Sequence, residues 1–320
     1  MSTIQIAPDI SFTLNNCLIS LDNIPNESVD TIYMDPPFDS DRNYSVSVSN
    51  SVGFGDKWTG NEYELFIDSV VQKCFLKLKK TGSLFFHISA DCMFIPEKIV
   101  RTHFKFVQPI FWKKCRSKNN VKSKLGATID IIFKCNKVAN AKFNVVQQSK
   151  DAKYLENSFK NKDDRGNYSM GHLVTESTKK GYMYSFDFNG NTYNPPSGWR
   201  IKLEELEALR DDNRLHLSKS KTSKLYKKIY LHENPGKPCT DLWDDIHSIG
   251  QGSEIRNYPT TKPLKLLERI IEISTNIGDL VLDPMCGSGT TGEACKKLGR
   301  KCILMDSNPE VVEIVKKRIV

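Results

Sequence analysis

The sequence predicts an α/β fold: a doubly wound, mostly parallel sheet of about seven strands, interrupted by a smaller inserted domain. Three observations predict it. Short aliphatic, β-branched and aromatic runs recur in two blocks, each run closed by turn residues, as strands buried on both faces require. Stretches with apolar residues at helical spacing separate those runs, so strand and helix alternate. Between the blocks, residues 140–240 turn polar and rich in Asn, Gly and Pro.

In the first block, residues 11–14, 30–35, 83–88, 107–112 and 129–134 are the expected strands. A helix is expected over 62–78, where Leu65, Phe66, Val70, Phe75 and Leu78 recur at helical spacing. The second block reads as helix 264–274, strand 280–283, helix 290–298, strand 302–306 and a last helix from Pro309. Residues 1–139 and 241–320 thus form the two parts of the large domain, and 140–240 the insert. Inside it, Asn189-Gly190-Asn191 and Asn194-Pro195-Pro196-Ser197-Gly198 mark turns, and one helix is expected near 203–210.

With 26% charged and 39% hydrophobic residues, the composition is that of a globular rather than a membrane protein. The N-terminus lacks a basic start with an apolar run, and no segment approaches the ~18 apolar residues of a membrane span, so a cytosolic location is expected. The nine cysteines include no CxxC pair and no Cys/His cluster at zinc spacing; reduced, mostly buried thiols and no metal site are expected. A net charge of +8 favours a polyanionic partner, because Lys and Arg on phosphates release condensed counterions.

Two motifs carry chemistry. Asp283-Pro284-Met285-Cys286-Gly287-Ser288-Gly289-Thr290-Thr291 follows a strand and opens a helix, and Asp306 ends the next strand. Glycines there let backbone pass close to a ligand, while the acid can accept both hydroxyls of a ribose. Gly287, Gly289 and Gly292 also match GxGxxG, so the loop alone leaves a nicotinamide or flavin dehydrogenase and a methyl-transferring enzyme open.

The second motif, Asp35-Pro36-Pro37-Phe38, closes a strand at the carboxyl end of the sheet, where α/β sites form. An exocyclic amine on an aromatic base is a poor nucleophile because its lone pair is delocalised into the ring. The Asp35 carboxylate and the Pro36 carbonyl can accept its N–H bonds and favour the pyramidal nitrogen of the transition state. The double proline holds that carbonyl in place. Phe38 can stack on a base rotated out of a duplex. A dehydrogenase explains the glycine loop but not this corner roughly 250 residues upstream of it.

At these residues the chain resembles the β class of amino-methylating DNA methyltransferases, in which a DPP(Y/F/W) segment comes first, a target-recognition domain follows and the cofactor loop comes last. Asn16-Cys17-Leu18 resembles the family's DC segment beside the cofactor adenine, with Asn in place of Asp. Tyr258-Pro259-Thr260-Thr261-Lys262-Pro263 resembles YPTQKP, whose Lys region contacts the methionine carboxylate. Residues 283–291 resemble DPFCGSGTT, with Met285 where Phe is usual.

The resemblance implies a Rossmann-like methyltransferase sheet with an inserted target-recognition domain. It implies S-adenosyl-L-methionine held by Asn16, Cys17, Asp35, Lys262, Asp283, Met285, Gly287, Gly289, Thr290 and Asp306, and a catalytic set of Asp35, Pro36, Pro37 and Phe38. Double-stranded DNA is the implied partner; a homodimer and a cognate restriction endonuclease are both compatible with it. Asp35 tilts the target toward N6 of adenine, since related cytosine-N4 enzymes more often carry Ser there. RNA and a protein amide are more remote targets, and a catalytically silent DNA-binding protein of the same fold is the rival of a different class.

Gly198-Trp199-Arg200 and 241–246 (DLWDDI) resemble segments flanking the recognition region in related modification enzymes, without an evident physical role. Phosphate contacts are expected from Lys113, Lys114, Arg116, Lys118, Lys122 and Lys124, and from Lys219, Lys221, Lys224, Lys227 and Lys228 interleaved with Tyr226 and Tyr230. Pro238-Cys239 matches the dipeptide of covalent cytosine-C5 enzymes but lies outside the sheet pattern, so Cys239 is read as structural.

Overall fold

The computed structural model describes residues 2–38, 42–45, 53–56, 58, 61–115, 125–148, 152–218, 224–234, 236–249 and 261–320. It divides into two compact units, residues 1–146 with 238–320, and residues 147–237.

The larger unit is built on a nine-stranded sheet. In chain order its strands are β1 (Ser2–Ala7), β2 (Ile10–Leu14), β3 (Val29–Met34), β4 (Leu78–Ser89), β5 (Phe106–Lys113), β6 (Ile129–Asn136), β7 (Leu242–Trp243), β8 (Leu280–Asp283) and β9 (Lys301–Asp306). Their order across the sheet is β1-β2-β9-β8-β3-β4-β6-β5-β7. The pairs from β2 through β4 are parallel, as is β5 with β7, while β1 with β2 and both pairs involving β6 are antiparallel.

All seven expected strands lie in this sheet, but the expected number is too small by the two edge strands. β1 folds back on β2 through a turn whose Asp9 has a left-handed φ of 61°. Its alternation of polar and apolar residues suits a strand with one wet face and is weaker than the continuous apolar runs inside. β7 has only two residues, too few for any periodicity to register.

Helices α1 (Cys17–Asp22), α2 (Glu62–Lys77) and α3 (Phe94–His103) pack on one face, and α4 (Leu264–Ser274), α5 (Thr290–Leu298) and α6 (Val311–Ile319) on the other. Strand alternation sorts the side chains. Along β3, Ile32 and Met34 join the core under α2 and α3, while Tyr33 joins the core under α4 and α5. All six β3 residues are buried, as expected of a central parallel strand. Among the described residues, no helix is long and apolar enough to cross a membrane.

The smaller unit has its own core of Leu173, Phe186, Trp199, Leu206, Leu215 and Leu225. Around it lie a four-stranded antiparallel sheet, residues 161–163, 166–172, 225–230 and 215–217 in that spatial order, and a helix, Leu203–Asp211. Trp199 is the keystone. Its backbone bridges both Val174 and Tyr182, its ring stacks on Tyr184 at 5.7 Å, and its indole N–H donates to the Tyr184 carbonyl at 2.9 Å. Gly198 and Gly181 allow that approach: a Cβ on Gly181 would lie 2.3 Å from the Trp199 carbonyl oxygen. This gives the Gly-Trp-Arg segment a physical role as the clip that fastens residues 175–182.

Trp199→Ala is expected to cost ~3–5 kcal/mol, the usual range for emptying a buried aromatic site. Hydrogen exchange should then show faster opening of residues 161–230 while the nine-stranded sheet keeps its protection. Unchanged protection in both units would refute the keystone role.

Candidate active site

The sequence places three carboxyls at the ends of three neighbouring parallel strands. Asp306 closes β9, Asp283 closes β8 and Asp35 follows β3, in the spatial order β9-β8-β3, so all three stand at one edge of the sheet. Because parallel strands end on the same side, the Asp35-Pro36-Pro37-Phe38 corner and the glycine turn meet there although nearly 250 residues separate them in sequence.

The glycine turn is shaped by left-handed backbone at Gly287 (φ 48°) and Gly289 (φ 77°). Gly289 caps α5, and a Cβ there would press on Val315 at 3.0 Å. The Gly287 N–H donates to Asp306 Oδ2 at 2.9 Å, and the Asn308 N–H to Oδ1 at 2.9 Å. Burial pushes the Asp306 carboxyl up, partly offset by those backbone donors.

Asp283 is deeper, accepting the Met285 N–H at 3.1 Å and the Thr291 hydroxyl. Burial raises its carboxyl to about 7; the Thr291 and Met285 donors oppose the rise, and the charges of Asp35 and Asp306 add to it. Thr290 is buried as the first residue of α5, and Met285 is half-buried beside the turn. Asn16 caps α1, its side chain accepting the Leu18 N–H at 2.8 Å. Cys17 is buried, with its thiol pushed up to about 11, chiefly by desolvation.

At the corner, the Asp35 side chain is 18% exposed, Pro36 is buried, and Pro37 and Phe38 are half-buried. Lys262 Nζ bonds Asp35 Oδ2 and lies 5.6 Å over the Phe38 ring. One segment thus ties the corner to the stretch before α4. Of the YPTTKP segment, Tyr258, Pro259 and Thr260 lie outside the described residues.

Several residues around this edge were not singled out in the sequence. His87 on β4 is fully buried, with Nδ1 2.8 Å from Tyr33 Oη and 3.9 Å from Asp35 Oδ1. Its Nε2 lies 3.4 Å from Asp130 Oδ2, and Lys114 bonds Asp130 Oδ1 at 2.7 Å. A signal was available: His and Asp sit inside the apolar runs Leu84-Phe85-Phe86-His87-Ile88 and Ile129-Asp130-Ile131-Ile132, where a polar residue needs a partner.

The DLWDDI segment packs beside Trp112, whose ring meets His87 edge-on at 5.4 Å. β7 pairs with β5, the Trp112 indole N–H donates to the Ile246 carbonyl at 2.8 Å, and Arg269 on α4 grips Asp245 with two bonds at 2.8 and 2.6 Å. Arg269 also lies 5.2 Å over the Trp243 ring.

The basic residues expected to meet phosphate divide. Lys114 is held by Asp130, and Lys228 by Asp163 at 2.8 Å, so both are committed within the protein. Arg116, Lys118, Lys122, Lys124, Lys219 and Lys221 lie outside the described residues. In the smaller unit a cleft of about 550 Å³ opens beside the Trp199 clip, lined by Lys179, Lys180, Tyr182 and Arg200 among others. Cys239 donates its backbone N–H to the Val146 carbonyl at 2.8 Å and packs on the core beside α4.

A doubly wound sheet with a glycine turn, an acid ending the next strand and a DPPF corner at one edge defines an α/β methyltransferase. Residues 29–317 match the family model described as DNA methylase, of the N6/N4 kind, and the chain belongs to that family. It is a DNA methyltransferase of the restriction-modification kind, with S-adenosylmethionine as its cofactor.

Among its relatives, the type II methyltransferase M.EcaI of Enterobacter cloacae is 27% identical over 98% of this chain and 71% of its own length. The DNA adenine methyltransferase YhdJ of Escherichia coli (strain K12) is 27% identical over 95% of this chain and 80% of its own. The solved PvuII DNA methyltransferase (cytosine-N4-specific) shares the fold with a TM-score of 0.56 at 14% identity, covering 97% of this chain and 86% of that one.

Proposed function

We propose that the protein methylates N6 of adenine at a specific site in double-stranded DNA. The observation that carries this reading is the meeting of the Asp35 corner and the glycine turn on neighbouring strands, with Lys262 bonded to Asp35.

The edge suits the cofactor. Three carboxyls converge there, one of them raised to about 7 by burial with the negative charges of its neighbours adding to the rise, so a cationic ligand is favoured. Gly287 and Gly289 would pass backbone beside it, Asp306 would take the ribose hydroxyls, and Asp283 and Lys262 would face its ammonium and carboxylate. Asn16, Cys17, Met285 and Thr290 would line the remainder. When bound, S-adenosylmethionine supplies an electrophilic methyl on a sulfonium sulfur.

The chain's own residues prepare the amine. A target base rotated out of the duplex stacks on Phe38, and its amino hydrogens go to Asp35 and the Pro36 carbonyl. Those acceptors concentrate the nitrogen lone pair, and the fixed Pro-Pro backbone aims it without reorganisation during the reaction. Residues 147–237, with Lys179, Lys180, Tyr182 and Arg200 along one cleft, are the proposed reader of sequence.

Adenine is preferred over cytosine because position 35 is Asp, and because a relative aligned over most of the chain, YhdJ, is a DNA adenine methyltransferase. Mass spectrometry of nucleosides from unmethylated DNA treated with enzyme and cofactor tests this. N6-methyladenine is expected. N4-methylcytosine would overturn the choice of base, and no methylated nucleoside together with no calorimetric cofactor binding would favour a silent DNA-binding protein.

A further inference from the structure

His87 is fully buried in an otherwise apolar stretch of β4, where an unsatisfied ring nitrogen is costly. Each nitrogen faces an oxygen. Nε2 faces Asp130, whose carboxyl burial pushes up but His87 and Lys114 hold below the usual range, so that it stands as a fixed anion. Nδ1 faces Tyr33 Oη and, at 3.9 Å, Asp35 Oδ1. The two Asp35 oxygens differ. Oδ2 holds Lys262, whereas Oδ1 is buried and has no hydrogen-bond partner among the described residues. Trp112 meets the imidazole edge-on at 5.4 Å and Phe38 lies 6.0 Å away, so the ring is walled in and cannot turn freely.

The geometry points to His87 as a positioning residue for Asp35: with both ring nitrogens protonated it bridges two carboxylates, Nε2–H to Asp130 and Nδ1–H to the inner oxygen of Asp35. The outer oxygen is then left to meet the target amine in a fixed direction. This inference rests on the reading of Asp35 as the acceptor of the amine hydrogens. Closing 3.9 Å to hydrogen-bond distance takes a shift of roughly 1 Å, small enough for a carboxylate turn when Oδ2 exchanges Lys262 for the amine. Tyr33 Oη holds the Nδ1 contact at 2.8 Å; burial and the nearby carboxylates keep its phenol neutral, so its oxygen can accept the Nδ1–H and share it with Asp35 Oδ1 once the carboxylate turns. Lys114 completes the charge balance on the Asp130 side.

Two amide variants separate the ring nitrogens. In H87N the amide reaches only the Nδ1 position, beside Asp35; in H87Q it reaches only the Nε2 position, beside Asp130. Single-turnover transfer of tritiated methyl to unmethylated DNA is expected to fall about 10²-fold in H87Q and less than about tenfold in H87N, with KM for DNA and cofactor nearly unchanged in both. A larger loss in H87N, or equal losses, would overturn the proposal, since a structural role through Asp130 predicts that order.

Should either variant fail to fold, nitrogen-15 spectra of the wild-type imidazole in the complex with S-adenosylhomocysteine decide the matter. Both ring nitrogens are expected to be protonated, and a bare Nδ1 would overturn the bridge. Asp35→Ala is run beside them: undiminished transfer there removes the functional reading itself, whereas loss there with the wrong order at position 87 removes only the role of His87.

Discussion

Asp35→Ala is expected to lower methyl transfer to DNA by at least about 10²–10³-fold, while calorimetric binding of S-adenosylmethionine changes little. The size follows from what is removed: a preorganised acceptor aimed at charge that develops only in the transition state is worth ~3–4 kcal/mol. Cofactor binding is expected to survive because Asp283, Asp306 and the glycine turn are held by their own bonds, to Thr291, Met285, Gly287 and Asn308, none of which involves Asp35. The cost in stability is separate. Lys262 is 12% exposed and loses its carboxylate partner, so thermal unfolding must be followed alongside activity. Asp35→Asn keeps one carbonyl acceptor with nearly the same shape and should fall between wild type and Ala. If tritium incorporation in the Ala variant matched wild type, Asp35 would not be the acceptor.

The elements most legible in the sequence were those with a strong period or a strong punctuation mark. β8, α4 and α5 have the expected limits, because Asp283-Pro284, Pro263 and Gly299 mark their ends. β4 runs longer than expected, from Leu78 rather than Ser83, since Lys79, Lys80 and Thr81 do not look like a buried strand. α1 and α3 were missed for different reasons. α1 has six residues, too few for a helical period, and α3 carries Pro96, which is tolerated in the first turn but reads as a breaker.

The candidate site divides in the same way. Asp35, the glycines and Asp306 announce themselves by neighbours that only a turn or ligand requires. His87 and Asp130 carry no such mark: they come from strands 43 residues apart, and only the antiparallel pairing of β4 with β6 brings Ser89 opposite Asp130. Trp112 and Trp243 are aligned in the same register by β5 and β7, which gives the DLWDDI segment its place at the sheet edge.

The second large effect concerns pH and is carried by Asp283. In the free protein its carboxyl is raised from an ordinary 3.8 to about 7, so around neutral pH it is partly protonated. A folded value above the unfolded one means that its contribution to stability is fully present below pH ~4 and is lost as pH rises through about 7. The rise corresponds to ~4 kcal/mol at most, shared with Asp35 and Asp306, so Asp283→Asn should be more stable than wild type at pH 8 and gain nothing at pH 4. The reverse holds for the ligand. A sulfonium and an ammonium brought to this edge favour the ionised carboxyl, so binding must expel a proton whenever Asp283 starts protonated.

The affinity of S-adenosylmethionine is therefore expected to rise between pH 6 and 8, by up to about tenfold per pH unit on the acid side of 7. Calorimetry at pH 6 in buffers of different ionisation enthalpy should count close to one proton released, falling toward none at pH 8.5. Asp283→Asn should flatten both curves and bind more weakly at pH 8. A wild-type affinity constant across this range, with heats independent of buffer, would mean that the buried carboxyl never meets the cofactor's positive charge, and the three-carboxyl edge would need another explanation.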